Sequence, residues 1–162
     1  MVMVAINEAG LDNVYRNAIA NVKQVILDNQ YSECGVRFRE IYENDEDNPM
    51  PQSVAIEIEG HEQELRSWVG RRKANYLLDI SIAVWYYHEE LKPETRKHDI
   101  DDMLWKISAM FMQHATINGF VPGLASEVDD VGYEERTKGN RVLAGGYVKL
   151  VLHKLHSITN VD

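Results

Sequence analysis

Two hydrophobic rhythms dominate the middle of the chain. From Tyr76 to His88, Leu78, Ile80, Ile82, Val84 and Tyr86 fall on one parity, and Asp79, Ser81, Ala83, Trp85 and Tyr87 fall on the other. That period of two predicts a strand. After Leu91-Lys92-Pro93 the spacing changes to threes and fours: Ile100, Met103, Leu104, Ile107, Met110, Phe111, His114 and Ile117 share one face of a predicted helix. Pro93 suits a first helical turn, where its missing N–H leaves nothing unpaired. Glu94, Asp99, Asp101 and Asp102 crowd the start, where negative charge complements the helix dipole. Asn118-Gly119 supplies a left-handed stop.

The flanking segments repeat the two rhythms. Leu11, Val14, Ala18, Val22, Val25 and Ile26 predict an N-terminal helix over Leu11 to Asn29, broken by Tyr31 to Gly35. Val36, Phe38 and Tyr42 alternate with Arg37, Arg39 and Ile41 as a strand, and Val54, Ile56 and Ile58 form a second that closes at Gly60. Glu127 to Arg136 is a short polar strand interrupted by Gly132. Val142 to His156 is a long one with apolar residues on both parities, and Gly145-Gly146 marks a bulge or bend in it.

The resulting order is α-β-β-β-α-β-β. It predicts one α+β domain spanning residues 1–162: a mostly antiparallel sheet of about four to five strands with two main helices on one face. Trp85, Tyr87, Ala83 and Tyr147 then fall on the opposite face, which is more aromatic than solvent exposure favours, so a covering layer is expected there, with another subunit as one candidate.

Composition narrows the function classes. The formal charge of −9 argues against non-specific nucleic-acid binding by the whole surface. No apolar run approaches the ~18 residues of a membrane span, and the start is too short and uncharged for a signal peptide. A soluble protein made in the cytoplasm is expected. The single Cys34 excludes an internal disulfide and a multi-cysteine zinc site. It reads as a buried apolar filler.

Two charged stretches stand out. Glu43 to Pro51, with Asp45, Glu46 and Asp47, is an acidic loop that lacks the glycine and distal glutamate of a calcium-binding EF-hand. Between His61 and Lys73, Trp68 is followed by Arg71-Arg72-Lys73 in an otherwise acidic chain. These cations are either a solvated loop tip or a hairpin end that engages an anionic partner.

The best catalytic candidate is His98-Asp99-Ile100-Asp101-Asp102, where His98, Asp99 and Asp102 could hold a divalent ion for hydrolysis. The same acids are expected at a helix start for electrostatic reasons alone. A Walker loop, Gly-x-Gly-x-x-Gly, His-Glu-x-x-His and a nucleophile elbow are all missing from the sequence. The balance favours a non-enzymatic protein with no metal and no cofactor.

The layout resembles the tail terminator (tail completion or neck) proteins of tailed bacteriophages. The likeness runs from Leu11 to His156 and is carried by Tyr76-Leu77-Leu78-Asp79-Ile80-Ser81-Ile82-Ala83-Val84, by the helix at Asp99 to Ile107, and by Val128-Asp129-Asp130-Val131-Gly132-Tyr133-Glu134 running to Gly145-Gly146-Tyr147-Val148-Lys149-Leu150. The resemblance implies a structural virion subunit that forms a homo-oligomeric ring, usually a hexamer, on the head-proximal end of the tail tube. Its partners would be further copies of itself, the tube protein and the head connector, with genome DNA passing through without sequence-specific binding. Trp68, Arg71, Arg72, Lys73, Trp85, Tyr87, Asp45, Glu46 and Asp47 are the interface candidates. Metal-dependent hydrolysis is the alternative from another class.

Overall fold

A computed structural model describes residues 8–69, 73–121 and 126–159. Its elements are α1 (Glu8–Cys34), β1 (Ile41–Tyr42), β2 (Ser53–Val69), β3 (Lys73–Glu90), α2 (Lys97–Gln113), β4 (Ser126–Lys138) and β5 (Arg141–Thr159). The α+β class and the order α-β-β-β-α-β-β are as the sequence predicts. The sheet runs β1-β2-β3-β5-β4, with every pairing antiparallel except β1 with β2. The chain passes from β3 through α2 to β4, and β5 then returns between them.

Period-two burial decides which side meets the helices. Leu78, Ile80, Ile82, Val84 and Tyr86 of β3 join Val54 and Ile56 of β2 and Val148, Leu150 and Leu152 of β5 in one core. Val14, Ala18, Val22, Val25 and Ile26 of α1 and Ile100, Leu104, Ile107, Met110 and Phe111 of α2 close it from above. Each Val, Leu, Ile, Met or Phe among them contributes roughly 1.5–3 kcal/mol when fully buried.

Several boundaries differ from the sequence expectation. Helix α1 continues through Tyr31 to Cys34 and stops at Gly35, whose φ of 74° carries the left-handed turn and whose N–H donates to the Tyr31 carbonyl at 3.0 Å. Helix α2 begins at Lys97 rather than near Pro93. Pro93 instead occupies a tight turn in which the Thr95 N–H donates to the Lys92 carbonyl at 3.0 Å, and its fixed φ suits the second position of such a turn equally well. The helix ends at Gln113, and Ile117, Asn118 and Gly119 all take positive φ beyond it. His114 consequently leaves the apolar face, and its ring pairs with Glu33 at 3.2 Å.

In the expected strand Val36 to Tyr42, only Ile41 and Tyr42 pair with β2. The Phe38 N–H is taken up instead by the buried Gln30 side chain at 2.9 Å, and the Arg39 N–H by the Gln52 carbonyl at 2.8 Å. Strand β2 does not close at Gly60. A register shift between Ile58 and Gly60 absorbs the extra residue as a bulge, and pairing with β3 continues to Val69 opposite Lys73.

Gly145-Gly146 pairs with Tyr87 and Tyr86 in unbroken register, and the irregularity lies across the ladder, between Tyr87 and Glu89. The two glycines serve close approach rather than bending. A Cβ on Gly145 would collide with the Tyr86 carbonyl, and one on Gly146 with the Gly132 carbonyl and the Leu104 side chain.

Candidate functional site

The sheet face turned away from the helices carries two distinct zones. At one end, Trp85 and Tyr87 of β3 lie beside Leu143 and Ala55 in a small second core, with Tyr42 packed against it. The 43–52 loop is strapped over this end. Asp45 accepts hydrogen bonds from Lys138 Nζ at 2.7 Å, Arg136 Nη1 at 3.3 Å and Tyr87 Oη at 3.4 Å. Arg141 Nη2 donates to Asn48 Oδ1 and to the Pro49 carbonyl, both at 2.7 Å, and the Gln52 N–H donates to the Tyr87 carbonyl at 2.7 Å.

The charges here balance locally. Burial works to raise the Asp45 carboxyl, but the Lys138 hydrogen bond and the Arg136 and Lys138 charges outweigh it and hold the group below its ordinary value. The Tyr87 hydroxyl is pushed up to about 12, chiefly by burial. The Arg136 guanidinium lies 3.9 Å from the Trp85 ring centroid, the Trp85 indole N–H donates to Glu57 at 2.7 Å, and the Tyr147 ring meets Trp85 edge-on at 5.6 Å. Gly132 lets the Tyr147 ring lie across β4, since a Cβ there would fall 2.8 Å from the Tyr147 hydroxyl.

Further along the same face is an open cleft of about 560 Å³ crossing β2, β3, β5 and β4. Five carboxylates line it: Glu59, Glu62, Asp79, Glu127 and Asp129. Their convergence follows from register, because Glu62 opposes Asp79, Asp79 opposes His153, and Glu127 opposes Val151. His153 bridges the strands, with Nδ1 2.5 Å from Asp79 and Nε2 3.4 Å from Glu127. The Asp79 hydrogen bond raises the imidazole above its usual value and favours the cationic ring, against a lesser opposing effect of burial. Lys149 pairs with Glu59 at 3.5 Å.

The interface candidates are thereby dispersed. Tyr87 is 1% exposed beneath the chain's own loop, and Trp85 is half-buried. Asp45 is engaged within the subunit, Glu46 accepts from the Asn48 N–H at 3.4 Å, and Asp47 is exposed. Trp68 and Lys73 are paired by backbone near the hairpin end, with Trp68 opposite Ala74 and Lys73 opposite Val69, but their side chains lie outside the described residues. Arg71 and Arg72 lie outside them entirely.

His98, Asp99 and Asp102 are all exposed on the first turns of α2, with Asp102 paired to Lys106 at 3.0 Å. Among the described residues no three His, Cys, Asp or Glu side chains converge to hold a metal. Cys34 is buried and its thiol is pushed up to about 11, chiefly by burial. No described helix is long and apolar enough to cross a membrane.

Sequence reasoning missed the cleft and the basic side of the strap. The available signal was that Asp79 falls on the non-core parity of β3 and His153 on one parity of β5. Which parities face each other is fixed only by strand order. A scan against protein-family models matches none, and no curated protein shows significant similarity to the chain.

Proposed function

We propose that this chain is a structural virion subunit. It closes into a ring on the head-proximal end of a phage tail tube, stops tube growth, and offers a joining surface to the head connector while DNA passes through the centre. The sequence resemblance motivates the reading, and one structural observation supports it. Among the described residues the sheet has two unlike edges with no further strand beside them and a face that the helices leave uncovered.

A closed ring of identical subunits needs two different surfaces that complement each other. On one edge, β1 pairs only with Val54 and Ala55, so β2 from Ile56 onward has no further strand partner among the described residues. Glu57, Glu59 and Glu62 on that stretch discourage indiscriminate strand pairing. On the other edge, β4 offers Ser126–Lys138 beside the exposed Trp105 and Met112 of α2.

Sedimentation velocity of the full-length chain, followed by electron microscopy of the same sample and a binding assay with isolated tail tubes, tests the proposal. A ring that caps tube ends is the expected result. A monomer at every concentration with no affinity for tubes would overturn it.

A further inference from the structure

We infer that the groove between α2 and the β4 edge is a guanidinium site, and that its occupant is the Arg37–Arg39 ridge on the opposite sheet edge of a second copy of this chain. The inference rests on the ring reading above and specifies which surfaces meet.

The groove encloses about 260 Å³ between Trp105, Ser108 and Met112 of α2 and Val128, Asp129 and Asp130 of β4. Spacings of three and four put the α2 residues on one helical stripe. Trp105 and Met112 are exposed, whereas Ser108 between them is fully buried and its hydroxyl has no hydrogen-bond partner among the described residues. A buried polar atom left unpaired is costly in the isolated subunit, so it points to a group supplied from outside. The register shift between Val128 and Asp130 makes Asp129 the extra residue of a bulge, which spoils this part of the edge for adding a regular strand. Asp129 and Asp130 are both exposed and make no ion pair among the described residues. An indole face, a hydroxyl acceptor and two carboxylates match a guanidinium, which stacks on the first, donates to the second and pairs with the third.

Charge complementarity selects the occupant. Arg37 and Arg39 flank the buried Phe38, whose N–H is held by Gln30, and both arginines are exposed without an ion pair among the described residues. The Arg39 N–H donates to the Gln52 carbonyl at 2.8 Å, which ties the ridge to the β1 edge. By contrast, Arg136, Lys138 and Arg141 are held within the subunit by Asp45, Glu90 and Asn48. The free stretch of β2 presents Glu57, Glu59 and Glu62, which would repel the carboxylates of the groove.

The sheet order makes the contact intermolecular. With β1 and β4 at opposite edges, four strand spacings of roughly 4.8 Å put about 19 Å of sheet between them. A subunit's own ridge therefore does not reach its own groove. Joining unlike surfaces on opposite edges carries the contact from copy to copy, as a ring requires.

The test uses the full-length chain, with sedimentation velocity as the readout and circular dichroism as the fold control. Arg37→Glu with Arg39→Glu, and separately Asp129→Lys with Asp130→Lys, should each weaken self-association by about tenfold or more. The chain carrying all four substitutions should recover association, because its ridge and groove are again opposite in charge. Arg16→Glu with Arg96→Glu makes the same change in net charge at exposed positions elsewhere and should leave association as in wild type. Ser108→Ala should leave the subunit at least as resistant to urea while weakening association by about threefold or more, since the hydroxyl finds its partner only across the contact. If a double variant fails to fold, Arg39→Glu and Asp129→Lys are read the same way, singly and together.

Association unchanged in the folded ridge and groove variants, no recovery in the combined chain, an equal loss in the Arg16 and Arg96 control, or unchanged association in Ser108→Ala would overturn the inference and leave the ring reading standing. A wild-type chain that is monomeric at every concentration would remove both.

Discussion

Asp45 and Lys138 are 93 positions apart in the chain, and their side chains meet at 2.7 Å across the end of the outer sheet face. This contact, with Arg136 and Tyr87 beside it, converts an acidic loop into a strap over the small Tyr87 core. Replacing Asp45 with Ala should lower stability by about 1 kcal/mol, a modest figure because the carboxylate is roughly one-third exposed. Glu46→Ala and Asp47→Ala should stay within about 0.5 kcal/mol of wild type. Urea unfolding of the three variants distinguishes a strap from a solvated loop, since equal effects at all three positions would contradict it.

The pH dependence of the same contact has a definite sign. The folded Asp45 pKa lies below its unfolded value, so its contribution is present above the unfolded carboxylate pKa. It is lost as pH falls through the depressed folded value. Asp45→Asn should therefore flatten the acid limb of the stability profile, and an unchanged limb would argue against the assignment.

His153 behaves in the opposite sense. Its folded pKa is raised, first by the Asp79 hydrogen bond, so its stabilising effect is complete below the unfolded histidine pKa and disappears as pH rises through the folded one. Titration followed by NMR should give an imidazole pKa above about 6.5 in wild type, moving downward in Asp79→Asn. A pKa indifferent to Asp79 would mean that the 2.5 Å contact does not persist in solution.

The glycine pair in β5 makes a sharper prediction. Gly145→Ala places a methyl group against the Tyr86 carbonyl, and the atoms it meets are all backbone of β3, which leaves little room for relaxation. The expected loss is about 3 kcal/mol or more, with soluble expression falling accordingly. Gly139→Ala is the useful contrast. Space is open there, and the cost comes only from its φ of 63° in the β4–β5 turn, about 1 kcal/mol. Equal effects at both positions would refute the close-approach account.

The metal-hydrolase alternative is separable by one double variant. On the proposed ring reading, Asp99→Asn with Asp102→Asn should leave self-association as it is in wild type and lower stability by at most about 1 kcal/mol through the helix dipole. Loss of a divalent-ion affinity measurable by calorimetry in wild type would instead favour the enzyme.

Much of the fold was legible because burial follows periodicity. The residues of β3 on one parity, and the α2 positions from Ile100 to Phe111, are the ones that form the core. Local chemistry with two structural uses misled at the edges. Pro93 fits a helix start and a tight turn alike, Gly60 fits a strand end and a bulge, and only hydrogen bonds to distant residues choose between them. For the same reason the Val36 to Glu40 stretch, with a strand's alternation, gave its Phe38 and Arg39 N–H groups to Gln30 and Gln52 rather than to a ladder.

By itself, the sequence determined which elements form, in what order, and which side of each is apolar, because those properties depend on residues a few positions apart. The tertiary structure alone decided that Asp79, Glu127 and His153 share one cleft and that Asp45 is spent on Lys138 and Arg136. Those meetings depend on strand order and register, and the insertion of β5 between β3 and β4 is set by packing across the whole sheet, beyond the reach of any local pattern.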